Sequence, residues 1–437
     1  MAAPNNQLQQ VITYQKADLA WLLNSFAFIS IANKKFKNFQ DSAPSNLGDT
    51  VSFDLAPRYN TYNGLVITLQ DSVQRVQNLV CSQAANVSTG YTDQQFLFNV
   101  RDYMDRFGMS AIKELGSLIE SDIAKNVISG VRISDPQNSN FGQLQTSSGP
   151  YRFYGDGVTP INSYGQLAQA LANFRDYGAA PNDTQGILPM SNVPGIINTG
   201  LNQFTLNKNN ETQNSWELGR FSDCEWYQSN LLPIHTAGTV GDTAAPGNVL
   251  TLVSTNDPTG ANITQLTFSG AGTSDVNAIK AGDLLQFNDG VSGKPNLRYR
   301  TFIGHVPSSQ PVQFRATADA ASTGGGQVTI SIFPALVSVQ NQNQNLNVAL
   351  QAGMTVTVLP SHRAGVIMSG KPLYMAMPKL PDQSPFDTVS EMDKDSGASL
   401  RHYYGVQFGQ NVRAYVRDAI WGSTLIPENS MRLIFPM

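Results

Sequence analysis

Charge is what this chain has least of. Asp, Glu, Lys and Arg make up 14% of its 437 residues, against roughly 25% in typical soluble domains. The polar surface must come instead from Asn, Gln, Ser and Thr, which recur throughout. Either much of the exterior is covered by subunit contacts, whose centres are depleted in charge, or the chain is a secreted β-rich protein with a neutral surface. A basic excess is also missing: 28 Lys and Arg stand against 32 Asp and Glu, a net charge of −4. That excludes a surface gripping nucleic acid over its whole extent but leaves room for one basic face. Cysteine is almost absent, and Cys81 and Cys224 lack C-x-x-C spacing. A disulfide framework is therefore not expected, and a reducing compartment is. His235, His305, His362 and His402 show neither i,i+4 nor H-E-x-x-H spacing, so no zinc site is signalled. No G-x-x-x-x-G-K-[ST], G-x-G-x-x-G or G-x-S-x-G occurs, which leaves nucleotide binding and serine hydrolysis without a basis. Long apolar runs are lacking as well. Leu19–Ala32 holds Asn24, Ser25 and Ser30 and at about 14 residues is too short to span a bilayer. With only Lys16 ahead of it and no small-x-small site, it does not read as an export signal. The expectation is a cytosolic, soluble chain.

What is present is strongest between Asn248 and Leu336. Six strand-like segments occur there: Val249–Thr255, Ile263–Ser269, Asp283–Asn288, Leu297–Val306, Val312–Ala318 and Gln327–Ala335. Leu266 with Phe268, Leu285 with Phe287, Val312 with Phe314 and Ala316, and Val328 with Ile330 and Ile332 alternate, placing apolar side chains on one face. Turn signals at Asn256–Gly260, Asn288–Gly290 and Gly324–Gly326 fall at hairpin spacing. The pattern predicts a small antiparallel barrel set between two halves of a larger domain. The polar run Gln340–Asn345 reads as the linker that closes it.

The flanks read differently. Leu19, Leu22, Leu23, Phe26 and Ile29 form a helical stripe near the N-terminus, needing either this chain's core or a neighbouring copy to pack on. Val51, Phe53 and Leu55, then Leu65, Ile67 and Leu69, alternate on either side of a turn at Tyr59–Gly64, predicting a two-stranded arm. Such a hairpin is marginal alone and implies a partner surface. Thr92 and Gln95 form a capping box opening a helix over Asp93–Ser129, which ends at Gly130. Its length is roughly 54 Å. One apolar file runs Phe96, Val100, Tyr103, Phe107, Ala111, Leu115, Leu118; a second runs Ile112, Ile119, Ile123, Val127. A shorter helix is expected over Tyr164–Tyr177, and strands over Met354–Leu359, Leu373–Met377, Val412–Ile420 and Met431–Phe435. Glu391, Asp393 and Asp395 are the one acidic cluster, read as a solvated loop around Lys394. Lys34, Lys35 and Lys37 are contact candidates for phosphate or an acidic protein, or simply a solvated helix end. No catalytic, cofactor-binding or metal-ligating residue is assigned, and the chain reads as a non-enzyme.

The order of these elements resembles the major capsid proteins of tailed double-stranded DNA phages, the Hong Kong ninety-seven fold, in the podovirus coat branch with an inserted barrel. Gly48–Val80 is similar to that branch's extended-loop strands, and Thr92–Val127 to its spine-helix entry. Gly219–Thr239 resembles the strand leading into the insertion, Ile279–Phe287 and Gly326–Leu336 its barrel strands, and Ser396–Ile434 its closing strands. The resemblance implies an α+β fold divided into an N-terminal arm (1–45), an extended loop (46–92), a peripheral domain with spine helix (93–160) and an axial domain (161–237). The inserted six-stranded barrel (238–345) and returning axial and peripheral strands (346–437) complete it. It further implies a self-assembling icosahedral shell of pentamers and hexamers, part of the virion and built in the host cytoplasm. Its partners would be a scaffolding protein, a portal and packaged DNA held non-specifically on the inner face, with no membrane and no cofactor. Nothing in the sequence locates the lysine–asparagine crosslink of some members. A tail or decoration component, and a secreted carbohydrate-binding or glycan-cleaving protein, are the alternatives. Removing Met1–Lys37 is expected to leave a folded subunit that assembles poorly.

Overall fold

The computed structural model describes residues 27–33, 50–59, 65, 69–70, 75–92, 109–129, 149–178, 183–200, 219–244, 247–301, 304–381, 387–392, 398–406 and 412–437. The fold is α+β and strand-rich, and it contains a closed six-stranded antiparallel barrel. Around the barrel the strands run Ile263–Ser269, Gln327–Leu336, Gln313–Ala316, Leu284–Phe287, Thr355–Val358 and Val249–Thr255, which returns to the first. The expected alternation is what fills it. Leu252, Leu266, Phe268, Leu285, Phe287, Phe314, Val328, Ile330 and Val356 all point into one buried cluster. Phe287 and Phe314 meet there with ring centroids 5.4 Å apart. Closure leaves no barrel strand with an unpaired edge.

One predicted barrel strand is elsewhere. Within Leu297–Val306 only Arg298–Arg300 is a strand, and it pairs with Pro307–Pro311 in a separate ribbon. Gly304 and His305, both at positive φ, turn the chain back on itself immediately. The sixth place in the barrel goes to Thr355–Val358, which the sequence reading put after the insertion. The run Gln340–Asn345 is also more than a linker. Asn345 is buried, accepting from the Val337 N–H (2.8 Å) and donating to the Ala335 carbonyl (2.8 Å). Its amide satisfies backbone at the end of the long strand Gln327–Leu336.

All six barrel strands fall, in sequence, between Ile234–His235 and His362–Met368, and those two strands pair with each other. They belong to a mixed sheet whose path is Phe153–Tyr154, Ser430–Phe435, His362–Met368, Thr184–Pro189, Cys224–Ser229 and Arg220–Phe221. The helix Tyr164–Asp176 covers it with Leu167, Leu171 and Phe174. Ser163 caps that helix through the Gln166 N–H (3.2 Å), and the Gln166 amide oxygen accepts from the Asn162 N–H (2.8 Å). The return bond falls one residue before the cap, so this is a shifted form of the capping box.

A second sheet is organised on the long strand Val412–Leu425, which pairs with Gln83–Thr92, Ser399–Val406 and Leu373–Ala376. The helix Met109–Ser129 packs against it through Ile112, Leu115, Ile119, Ile123 and Val127. Leu118, expected in an apolar file, is half-exposed, because it stands about 100° around the helix from Ile119. Residues 93–108, the expected first half of this helix, lie outside the described residues. Two polar ties fix helix to strand: the Trp421 indole N–H donates to Asp122 (2.9 Å), and the Asn126 amide donates to the Ser423 carbonyl (2.8 Å). At Gly422 the backbone of Val80 comes so close that a Cβ would sit 2.3 Å from its carbonyl oxygen. Glu391, expected in a loop, belongs to the strand Asp387–Met392 paired with Ser399–Val406. Asp393 and Asp395 lie outside the described residues.

Of the N-terminal apolar stripe, Leu19, Leu22, Leu23 and Phe26 lie outside the described residues, and the part from Ala27 packs on this same chain. Phe28, Ile29 and Ile31, on the helix Ala27–Ile31, join the cluster around Met109–Ser129. The expected arm is real but paired differently. Thr50–Leu55 pairs with Arg75–Val80 in register Thr50↔Val80 to Leu55↔Arg75, while Leu65 and Leu69 are outside any strand. Gln77 and Leu79 give the second strand its buried face, and Ile67, the middle residue of the expected strand, lies outside the described residues.

Candidate functional site

Lys34, Lys35 and Lys37 lie outside the described residues. Among the described residues no group of three or more His, Cys, Asp or Glu is placed to hold a metal ion. The structure instead concentrates its polar chemistry at two places, both where the barrel meets the rest of the chain.

The first is the barrel–sheet junction. His235 and His362 are register partners with ring centroids 5.2 Å apart. His235 Nε2 lies 2.7 Å from Asp283 Oδ1, and the second Asp283 oxygen accepts the N–H groups of Lys280 (2.8 Å) and Gly238 (3.1 Å). Asp283 is fully buried, so one carboxylate ties the entering chain, at His235 and Gly238, to the barrel wall. Gln313 forms a second tie. Its oxygen accepts from the Phe153 N–H (2.9 Å) and its nitrogen donates to the Phe153 carbonyl (3.1 Å), so it pairs with the sheet's edge strand as backbone would. Arg432, wholly buried, donates to the Gly282 carbonyl (3.4 Å) and to the Ile128 carbonyl. Arg152 lies among Tyr151, Tyr177 and Tyr299, with its guanidinium carbon 4.8 Å from the Tyr177 ring centroid, and donates to the Tyr299 hydroxyl (3.0 Å). Ring faces and carbonyls thus stand in for counter-carboxylates, which a desolvated guanidinium accepts more readily than an ammonium does.

Burial pushes the His362 imidazole down to about 3, with Arg432 and His235 adding to the effect. Burial, then Arg417, does the same for His402, also to about 3. An unfolded histidine titrates at about 6.5, so below that pH the unfolded chain takes up protons that the folded chain refuses. The stability these groups contribute is complete above pH ~6.5 and is lost as pH falls towards ~3. The expected loss by about pH 4 is several kcal/mol between them. Urea denaturation across that range checks it, and a midpoint independent of pH would contradict it.

The second place is a cleft of about 510 Å³ beneath the two-stranded arm. Leu55, Arg75 and Gln77 of the arm line one side, Phe333 and Asn343 of the barrel segment another, and Ile426–Glu428 the third. Arg58 and Arg75 both bind the same oxygen of Glu428, and Arg58 also donates to the Asn343 amide oxygen (3.2 Å). Gln77 adds a bond from its amide to the Thr424 hydroxyl (2.9 Å). The arm is therefore fixed at its loop-side end by charge contacts and further along its second strand by the Gln77 amide.

No family model matches the chain, and no curated protein does. Solved structures do. A chain of Mycobacterium phage Che8 overlaps 94% of this chain and 91% of its own length at 7% identity and a TM-score of 0.43. A chain from the capsid of Ralstonia phage GP4 overlaps 94% and 88% at 10% identity and 0.41. One from the capsid of the Cyanophage P-SCSP1u overlaps 89% and 83%, also at 10% identity and 0.41.

Junction and cleft each join segments more than 100 residues apart in sequence, as in the Arg152–Tyr299 and Arg58–Glu428 pairs. They hold barrel, sheet and arm in one relation to each other. Sequence reasoning missed both, because most of the partners that join them, such as Tyr299 for Arg152 and Glu428 for Arg58, lie far along the chain and share no spacing. One signal was available: in a chain with so little charge, Arg152, Arg315, Arg417 and Arg432 each adjoin aromatic or aliphatic residues.

Proposed function

We propose that the chain is the major capsid protein of a tailed double-stranded DNA phage, a non-enzymatic subunit of an icosahedral shell. The observation that carries this reading is the arm. Its second strand is anchored to the sheet at Arg75, Gln77 and Val80, and beyond the paired strands Leu65 and Leu69 are 102% and 92% exposed. Tyr59 and Val76 are half-exposed beside them. Exposed apolar side chains on a marginal two-stranded element call for a partner surface. The sequence resemblance to capsid subunits of the podovirus coat branch supplies the partner: another copy. Scarce charge fits the same picture, since subunit contacts are poor in Lys, Glu and Asp.

On this reading 1–45 is the N-terminal arm, 46–80 the extended loop, shortened from 92 because Gln83–Thr92 belongs to the second sheet, 93–160 the peripheral domain and 161–237 the first part of the axial domain. The barrel unit, taken to 359 because Thr355–Val358 closes it, is an insertion that stiffens the subunit. The remaining strands return to the axial and peripheral domains. Contacts between different faces of successive copies close into fivefold and sixfold rings, and the many weak contacts of a closed shell act together. Scaffolding protein and portal are partners during assembly in the host cytoplasm, and packaged DNA lies against the inner face. Lys34, Lys35 and Lys37 are candidates for its phosphates or for an acidic partner.

Co-expression of the chain with a scaffolding protein, followed by electron microscopy, tests this. Closed shells of uniform size are expected. Monomers under every condition would refute it, and tubes or small rings would point to a tail or decoration component.

A further inference from the structure

The two histidines of the barrel–sheet junction share one rung but face opposite charges. His235 Nε2 lies 2.7 Å from the Asp283 carboxylate. His362 Nδ1 lies 2.7 Å from the Pro360 carbonyl, a contact that only an N–H makes favourable. The proton of the neutral His362 ring is therefore on Nδ1, and Nε2 is a bare acceptor. Facing Nε2, 3.5 Å away, is Nη1 of Arg432. A proton on His235 strengthens its bond to Asp283. A proton on His362 sets one N–H and one positive charge against another. Other charged groups that the described residues bring to the joint have work of their own or add to the repulsion. Asp283 also accepts from Lys280 and Gly238, Asp242 accepts from Ser361, and Arg363 donates to Ser191 (2.6 Å). Arg315, on the barrel strand Gln313–Ala316, acts on Arg432 as a second positive charge.

We propose that this joint is an acid-operated hinge, closed while His362 is neutral and open when it is protonated. Arg432 is the moving part. Wholly buried on the strand Ser430–Phe435, it donates to the Gly282 carbonyl of the barrel (3.4 Å) and to the Ile128 carbonyl near the end of the long helix. Repulsion from a charged His362 pushes it off both and frees the Pro360–His362 chain that leaves the barrel. The entering chain responds oppositely, because the same acid tightens the His235–Asp283 pair. The Gln313–Phe153 pairing contains no titratable group and also holds. The barrel therefore stays attached on one side and swings on it. Burial, with Arg432 and His235 adding to it, keeps His362 neutral far below the ordinary histidine range, so the hinge is shut at neutral pH. It belongs to the isolated chain as well as to any assembly and does not depend on the shell reading.

Hydrogen exchange of the full chain between about pH 6 and about pH 3.5, corrected for the intrinsic rate at each pH, tests it. Exchange over 359–363 should rise about tenfold relative to the barrel strands Ile263–Ser269 and Gln327–Leu336, while the Gly238 and Lys280 amides stay protected. His362→Gln keeps a donor for Pro360 and an acceptor for Arg432 at every pH and should abolish the rise. His402→Gln, which removes the other deeply buried imidazole, should leave it in place. Nitrogen-15 spectra of the wild type need no variant: they should contain an Nδ1–H ring that stays neutral down to about pH 4. A single transition in which 359–363 and the barrel strands exchange together would overturn the hinge. So would an unaltered rise in His362→Gln, or the absence of any Nδ1–H ring.

Discussion

Leu285→Asp is expected to abolish a stable barrel and with it most of the soluble yield. Leu285 is fully buried in the short strand Leu284–Phe287, with Val358 opposite on one side and Phe314 on the other. The surrounding cluster is aliphatic and aromatic. The substitution loses about 2 kcal/mol of apolar burial and adds an unpaired charge where desolvation costs several kcal/mol more. A total above ~5 kcal/mol rivals the whole stability of an ordinary domain. The control is Gln265→Glu, on the outer face of the strand Ile263–Ser269, expected to stay within about 0.5 kcal/mol of wild type. Denaturant midpoints of the two proteins measure the difference. Equal midpoints would mean that Leu285 does not face the barrel interior.

The barrel was legible in the sequence because a closed sheet writes its inside and outside into every second residue. Leu266–Phe268 and Val328–Ile330–Ile332 carry that signal over strands of seven and ten residues. The sixth strand was misplaced because Thr355–Val358 has only four residues and two apolar ones, Val356 and Val358. Such a segment reads as a strand but not as a member of any particular sheet. His362–Met368 went unnoticed for the opposite reason. It is covered on both faces, so Ala364 to Met368 form one buried run with no alternation to detect. The cleft and junction were illegible in a deeper sense. Charged residues are expected on the surface, and what permits Arg152 to be buried is a ring of tyrosines, one of them 147 positions away.

The N-terminal segment is where sequence and structure disagree with most consequence. The resemblance, by making 1–45 an arm, implies that deleting Met1–Lys37 leaves the subunit folded, although the stripe itself fits either this chain's core or a neighbouring copy. Phe28 and Ile29 are instead fully buried in the core around Met109–Ser129, and Ile31 nearly so. Their loss alone removes about 5 kcal/mol of burial. It also strips the buried Glu120 carboxylate of the N–H groups of Phe28 (2.8 Å) and Ile29 (3.1 Å), and a buried acceptor deprived of partners costs a further 1–3 kcal/mol or so. The truncated chain should therefore melt far below the full one or fail to accumulate. Deleting only Met1–Phe26 keeps these contacts and should lower the melting temperature less than deleting Met1–Lys37. Glu120→Gln separates packing from charge. In the full chain it should destabilise by about 1–2 kcal/mol, because a neutral amide oxygen accepts those N–H groups less strongly. In the Met1–Lys37 deletion it should be neutral or stabilising, because the charge it removes has lost two of its donors. An equal cost of Glu120→Gln in both backgrounds would show that the carboxylate does not act through the N-terminal segment.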